Sequence, residues 1–297
     1  MSIKAIDFNR QAVYETQLLA KAMPPNSLGR LASLALKLAL IKDGPLDSLS
    51  LLLFAGDHGV VEEGVTHSPQ QITYQQCCNF ASGGGACSLF ASLNHATLSV
   101  IDVGVNHSFS EHDAVVDCKI GYGTRNFLQG PAMEREQCLQ AMEAGRERVR
   151  LAIRGAHAIA FGEMGVGNTT SASAVAAALT NLPVSAITGK GSGLSDAELQ
   201  HKIAVIEQAL VLHPERDPLT VLCNLGGYEI AAICGGMLEV AEASLPILLD
   251  GFVVTSAALV ANAMDEHFHE YLIPCHQSGM QGHRRMLDAL GCMPQHS

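Results

Sequence analysis

From Leu49 onward, short apolar runs that end in glycine or aspartate alternate with alanine-rich stretches of helical length, and this alternation admits few folds. Strand, turn and helix repeated in that order build βαβ units, which pair strands in parallel and cover the sheet with helices. Strands are expected at 50–55, 97–103, 156–161, 184–187 and 245–249, the last with Pro246 near its start, where a missing amide is tolerated. Helices are expected at 73–80, 86–93, 134–154, 171–179, 196–212, 228–243 and 255–264. Ahead of them, 12–22 and 31–41 read as amphipathic helices separated by Pro24-Pro25-Asn26-Ser27, where Asn26 or Ser27 can cap the second. The expected fold class is α/β: a Rossmann-like parallel sheet flanked by helices over residues 46–272. A small helical subdomain is expected from the N-terminal residues 1–45 and the C-terminal tail 273–297.

Composition narrows the partners. Hydrophobic residues make up 48% of the 297, with no tryptophan, so Ala, Leu, Val and Ile must build the interior, as helices layered on a buried parallel sheet require. Eighteen Lys and Arg against 29 Asp and Glu give −11, without a basic cluster, which argues against nucleic acid as a partner. The most apolar stretch, 252–264, is too short for the roughly 20 residues of a spanning helix, so it is expected in the core and no membrane is implied. Residues 1–10 are charged and lack an apolar signal core, so the expected location is the cytoplasm. Nine cysteines without Cys-x-x-Cys spacing fit reduced, mostly buried thiols better than a zinc site or a disulfide framework.

The strongest local signal is Gly162-Glu163-Met164-Gly165-Val166-Gly167-Asn168-Thr169-Thr170, between an apolar strand and an Ala-rich helix. Glycines let backbone approach a ligand closely, Asn168 and the threonines can cap the helix, and a helix N-terminus attracts phosphate. The segment reads as a mononucleotide phosphate or ribose site, or as a tight strand-to-helix turn. It lacks the Walker spacing and the third glycine of a dinucleotide fingerprint.

A second segment, Thr188-Gly189-Lys190-Gly191-Ser192-Gly193-Leu194, is expected to join strand 184–187 to a helix that Ser195 and Glu198 start as a capping box. Lys202 lies one or two turns into that helix, where it can reach an anion held by the loop or simply be solvated. Asp57-His58, at the carboxyl end of the first strand, is either an acid–base pair or a polar turn. The run 265–270 holds metal-capable side chains at poor ligand spacing and reads better as a solvated helix end, so no metal is expected. Residues 121–133 are expected to be a long polar loop before a helix that Pro131 helps to start.

Several of these stretches, in order, resemble the nicotinate-nucleotide:dimethylbenzimidazole phosphoribosyltransferase family. They are Pro-Pro-Asn-Ser-Leu-Gly-Arg at 24–30, Asp57-His58-Gly59-Val60, Glu63-Gly64-Val65, Ser68-Pro69-Gln70 and Ile101-Asp102-Val103-Gly104. Beyond them come Gly130-Pro131-Ala132-Met133, the 162–170 segment, Leu225-Gly226-Gly227-Tyr228-Glu229, Leu249-Asp250-Gly251-Phe252 and His276-Gln277-Ser278. The resemblance implies transfer of phosphoribose from nicotinate mononucleotide to 5,6-dimethylbenzimidazole with inversion, giving nicotinate and α-ribazole 5'-phosphate. It implies a homodimer and no cofactor.

The resemblance also assigns residues. Ser68 and Gln76 would line the benzimidazole pocket. Gly165, Gly167, Asn168, Thr169, Gly189, Gly191 and Lys202 would hold the nucleotide, with Asp57, His58 and Asp250 as further candidates. Glu163 would be a supporting carboxylate near the reacting atoms, or a partner for ribose hydroxyls. Ser68 before Pro69 and Gln76 also have ordinary readings, as a cap and a helix residue. The family assigns proton removal to a glutamate in a late Gly-Glu-Gly-[Ser/Thr]-Gly motif that these 297 residues do not contain. The resemblance therefore implies a chain that stops short of that segment, or alternatively a nucleotide- and benzimidazole-binding homologue with impaired chemistry.

Overall fold

The computed structural model describes residues 2–24, 26–110, 113–191, 193–275, 277–280 and 282–292. Pro25, Ser192, His276 and the last residues of the expected tail lie outside the described residues. One sheet runs through the middle, with strands β1 Leu49–Gly56, β2 Thr97–Gly104, β3 Val116–Asp117, β4 Ala158–Met164, β5 Ile247–Leu249 and β6 Leu272–Pro274. All neighbours pair in parallel, in the order β3-β2-β1-β4-β5-β6. The chain moves outward from β1 in one direction and then returns to build the other half, which puts a switch point between β1 and β4. Open α/β sheets bind ligands outside the carboxyl ends of strands at such a point.

The helices are α1 Gln11–Leu19, α2 Arg30–Ile41, α3 Gln71–Ala81, α4 Gly85–Leu93, α5 Arg135–Ala152 and α6 Asn168–Thr180. After them come α7 Val184–Ile187, α8 Asp196–Leu212, α9 Pro218–Leu225, α10 Tyr228–Glu242, α11 Phe252–Met264 and α12 His283–Ala289. Phe54, Ile101, Ile159 and Phe161 from the strands meet the fully buried faces of α6, α10 and α11 in one core. The thirteen-residue apolar run is α11, buried over Phe252 to Ala261.

Four local expectations need correction. Residues 184–187 form the short helix α7 rather than a strand, entered through Pro183. Helix α1 buries none of its side chains, so it is not the amphipathic element its sequence suggests. Gly29, not Asn26 or Ser27, is the N-cap of α2. Helix α5 starts at a capping box of Glu134 with Gln137, which leaves Pro131 in the preceding loop.

Helices α5 and α10 cross at backbone contact. A Cβ on Gly145 would lie 1.8 Å from the carbonyl oxygen of Ala232, and one on Gly235 would lie 2.1 Å from that of Met142. Arg146 and Arg150 then grip Glu239 at 2.9 Å across the crossing. Alanine at position 145 gains about 1 kcal/mol of helix propensity, but the two backbones must separate, and such overpacking costs about 3 kcal/mol. The net loss should appear as a lower urea midpoint for Gly145→Ala. Gly155→Ala, where a Cβ would meet nothing, is the control and should move little.

Candidate active site

At the carboxyl ends of β1 and β4 a cleft of about 370 Å³ opens, and both glycine segments contribute to it. Met164, Gly165, Val166, Gly167, Asn168 and Thr169 form one wall and Lys190, Gly191 and Leu194 the facing one. Val65, Thr66, Ser68 and Ile72 close a third side, with Met280 above. The second segment reaches this place from helix α7 rather than from a strand, and its capping box of Ser195 with Glu198 starts α8 as expected.

The glycines of the first segment serve packing as much as ligand approach. Gly167 has φ 95° and is the N-cap of α6, so Asn168 is the first helical residue rather than a cap. A Cβ on Gly165 would lie 2.1 Å from the carbonyl oxygen of Gly56, and one on Gly167 would lie 2.8 Å from Val61 Cγ1. The turn is thus pressed onto the end of β1. It aims the positive end of α6 at the cleft.

Lys202 points into the same space from α8 and is 1% exposed. Its Nζ donates to Thr169 Oγ1 at 2.9 Å, and no carboxylate pairs with it among the described residues. Burial lowers its pKa to about 8. A buried ammonium without a counter-charge is costly, so the site favours an anion between Lys202 and the α6 terminus.

Behind the wall lies a layer of buried polar groups. Asp57 accepts from Thr73 Oγ1 at 2.6 Å and from the Asn106 amide at 2.8 Å, while Thr73 Oγ1 accepts from the Val166 amide at 3.0 Å. Asp57 therefore ties α3, the loop after β2 and the glycine turn together. It does not pair with the His58 ring, which contacts Ser171 Oγ at 2.9 Å through Nδ1 and Glu229 Oε1 at 2.7 Å through Nε2. Burial alone would disfavour the imidazolium, but the Glu229 carboxylate, with Asp57 and Glu163 beyond it, outweighs this and raises the pKa of His58.

Glu163, on β4, lies just behind Asn168, whose amide Nδ2 donates to its carboxylate. Burial and then the charge of Glu229, with Asp250 adding to them, raise Glu163 from an ordinary 4.5 to about 7, against the opposing pull of Asn168 and His58.

The remaining candidates are dispersed. Gln76 stands half-buried on α3 and accepts from Asn79 at 3.4 Å, outside the cleft wall. Gly189 is buried between α7 and the wall, and Asp250 is exposed after β5. Asp265 and Glu270 engage the amides of His267 and Ile6, and no metal-holding group of His, Cys, Asp and Glu occurs among the described residues. All nine cysteines are free, five of them buried. No helix among the described residues is long and apolar enough to cross a membrane.

Glu229 and Ser171 had no role assigned from sequence. Their one signal is Gly227, where a Cβ would lie 2.3 Å from His58 Cε1 and 2.6 Å from Glu229 Oε2. The apolar lining from Val65, Ile72, Leu194 and Met280 also carries no local signature.

A parallel sheet whose switch point carries a cleft with a buried lysine and a helix N-terminus on one side and apolar side chains on another defines an α/β protein with an anion-favouring site. The family model described as "Phosphoribosyltransferase" matches residues 3–297. A protein of Pseudomonas fluorescens (strain SBW25) named nicotinate-nucleotide–dimethylbenzimidazole phosphoribosyltransferase is 44% identical over a 299-residue alignment covering 98% of this chain and 85% of that protein. One of the same name from Chlorobaculum tepidum is 42% identical, covering 99% and 85%. The crystal structure of CobT from Thermus thermophilus superposes with a TM-score of 0.92 at 40% identity, covering 96% of this chain and 87% of that one. The chain belongs to the nicotinate-nucleotide–dimethylbenzimidazole phosphoribosyltransferase family.

Proposed function

We infer that this protein transfers the phosphoribosyl group of nicotinate mononucleotide to 5,6-dimethylbenzimidazole, releasing nicotinate and forming α-ribazole 5'-phosphate. The observation that carries this reading is Lys202, a buried cation facing the cleft with a hydroxyl as its partner and the N-terminus of α6 beside it. The mononucleotide phosphate completes that site. Asn168 and Thr169 flank it and Gly191 faces it from the opposite wall.

The apolar surface of Val65, Ile72, Met164, Leu194 and Met280 suits a flat aromatic base, with the Ser68 hydroxyl at its margin. Gln76 is four residues beyond Ile72 on α3, hence on the same face, and although it stands outside the cleft wall we assign it to the far end of that base. Inverting displacement breaks the bond from the anomeric carbon to the nicotinate nitrogen as a benzimidazole nitrogen bonds from the opposite side, through an oxocarbenium-like state. The proton on the other benzimidazole nitrogen must leave. Glu163, behind Asn168 of the cleft wall and with its pKa raised to about 7, is the carboxylate we assign to accept it. The chemistry draws on no cofactor.

Residues 1–45 and the tail from 273 would form the small helical part beside the 46–272 core. Ile6, Phe8, Lys37 and Leu40 lining one pocket with Gly291 and Cys292 of the tail support that arrangement. A homodimer would cover Leu89, Phe90 and Leu93, which α4 leaves exposed. The free thiols suit a cytoplasmic enzyme.

Incubation with nicotinate mononucleotide and dimethylbenzimidazole, followed by chromatography, should yield nicotinate and α-ribazole phosphate in equal amounts, each dependent on both substrates. Saturable binding of the two substrates without nicotinate release would replace the enzyme with a binding protein.

A further inference from the structure

Beneath the glycine turn lies a pair of buried side chains that does not itself line the cleft. His58 and Glu229 are each fully buried and meet at 2.7 Å, across 171 residues of sequence. The imidazole is held at both nitrogens, by Ser171 Oγ and Glu229 Oε1, while Glu229 Oε2 is buried with no hydrogen-bond partner. Leaving a carboxylate oxygen orphaned in the interior costs about 1–3 kcal/mol, and such a group in a native fold calls for a reason.

The surroundings supply one. Glycines surround the pair: a Cβ on Gly227 would collide with both side chains, one on Gly167 would come within 3.1 Å of His58 Cβ, and one on Gly165 within 3.5 Å of His58 Cδ2. The backbone that forms the cleft wall therefore rests directly on the His58 ring. Ser171, which holds the ring, lies in the first turn of α6, the helix whose N-terminus faces the anion.

We propose that His58 and Glu229 are positioning residues for the transfer reaction: together they seat the Gly165–Gly167 turn and hold the charge behind Glu163, on the strand that runs into that turn. The proposal rests on the reading of Glu163 as the carboxylate beside the reacting atoms.

The electrostatics agree with the geometry. Around Glu163 stand Glu229 from α10, Asp250 after β5, His58 after β1 and the Asn168 amide from α6; His58 itself faces Glu229, Asp57, Glu163 and Ser171. After burial, Glu229 is the largest influence raising Glu163, and His58 opposes it more weakly. An ion pair that only packed the turn could be replaced by a neutral hydrogen-bonded pair of the same shape without altering catalysis. A positioning pair could not.

The test reads Glu163 directly, apart from turnover. With glutamate labelled at the side-chain carboxyl carbon, and Glu163→Gln identifying the signal, wild-type Glu163 should titrate near neutrality by NMR. In Glu229→Gln the neighbouring negative charge is gone and the midpoint should fall by about one pH unit, while kcat drops and its acid limb moves the same way. An unmoved Glu163 midpoint in a folded Glu229→Gln protein overturns the proposal. Should that variant not fold, ring nitrogen shifts of His58 in the wild-type protein decide: both nitrogens protonated at pH 7 support the pair, and a neutral ring overturns it. A Glu163 midpoint that moves while nicotinate release stays unchanged would retain the pair's control of the proton but remove Glu163, and the pair with it, from the reaction.

Discussion

Replacing Lys202 with methionine should make the free protein more stable and nicotinate mononucleotide a far weaker ligand. The two effects share one cause. Lys202 is buried at the cleft with Thr169 Oγ1 at 2.9 Å, and desolvation lowers its pKa from 10.5 to about 8. The folded-state pKa lies below the unfolded one, so the unfolded chain binds more protons between about pH 8 and 10.5, and stability rises with pH across that window. Below it the folded protein carries the whole penalty. Methionine keeps the stem's volume without the charge, and the gain at pH 7 should be about 2–3 kcal/mol, vanishing above the window. The phosphate meanwhile loses a charge-assisted contact of about 1.5–3 kcal/mol, roughly a 10–150-fold rise in Kd. Urea midpoints at pH 7 and 10, with calorimetric titration of the nucleotide, check both. A destabilised Lys202→Met protein that binds the nucleotide normally would place the phosphate elsewhere.

That a lysine is buried is not visible in its own segment. Asp196 to Leu212 reads as a helix from its capping box and spacing, but whether its seventh residue meets solvent or a cleft depends on α6, nearly thirty residues earlier. The central strands were legible because parallel strands buried on both faces are continuous apolar runs, as in Leu51-Leu52-Leu53-Phe54 and Ile159-Ala160-Phe161. Val184-Ser185-Ala186-Ile187 offers the same local appearance, and four residues cannot separate a strand from a turn of helix by periodicity. Strands β3 and β6, two and three residues long at the sheet's edges, carry too little pattern to stand out.

The site divides in the same way. The 162–170 turn was legible because glycine spacing, strand and helix all coincide there. The pairing of His58 with Glu229 was not, since each looks locally like a polar residue beside glycine and only the sheet's winding brings them to 2.7 Å. Asp57 and His58, adjacent in sequence, face different partners because alternate residues of extended backbone point to opposite sides. Adjacency alone allows an acid–base pair or a polar turn. The backbone instead assigns one residue to holding loops and the other to the floor of the glycine turn.

Glu163→Gln tests the chemistry most sharply, because stability and activity should move in opposite directions. Burial and the charge of Glu229 raise Glu163 from 4.5 to about 7, so the folded state holds the proton over that interval and the unfolded state does not. Stability then falls as pH rises from about 4.5 to 7 and stays low above it, while below about 4.5 both states are protonated and nothing is lost. The part-exposed side chain softens the full penalty to about 2 kcal/mol. Glutamine keeps the shape and the contact with Asn168, so the variant should be more stable than the wild type at pH 8 and equal to it at pH 4. Removing a proton acceptor typically costs 10²–10⁴ in rate, and nicotinate release should drop by at least about 10²-fold with the nucleotide Kd nearly unchanged. The rate and affinity must be read together. If Glu163 only accepts hydrogen bonds from the ribose hydroxyls, Kd rises and the bound complex still turns over, whereas a carboxylate that takes the proton leaves a complex that forms and does not react.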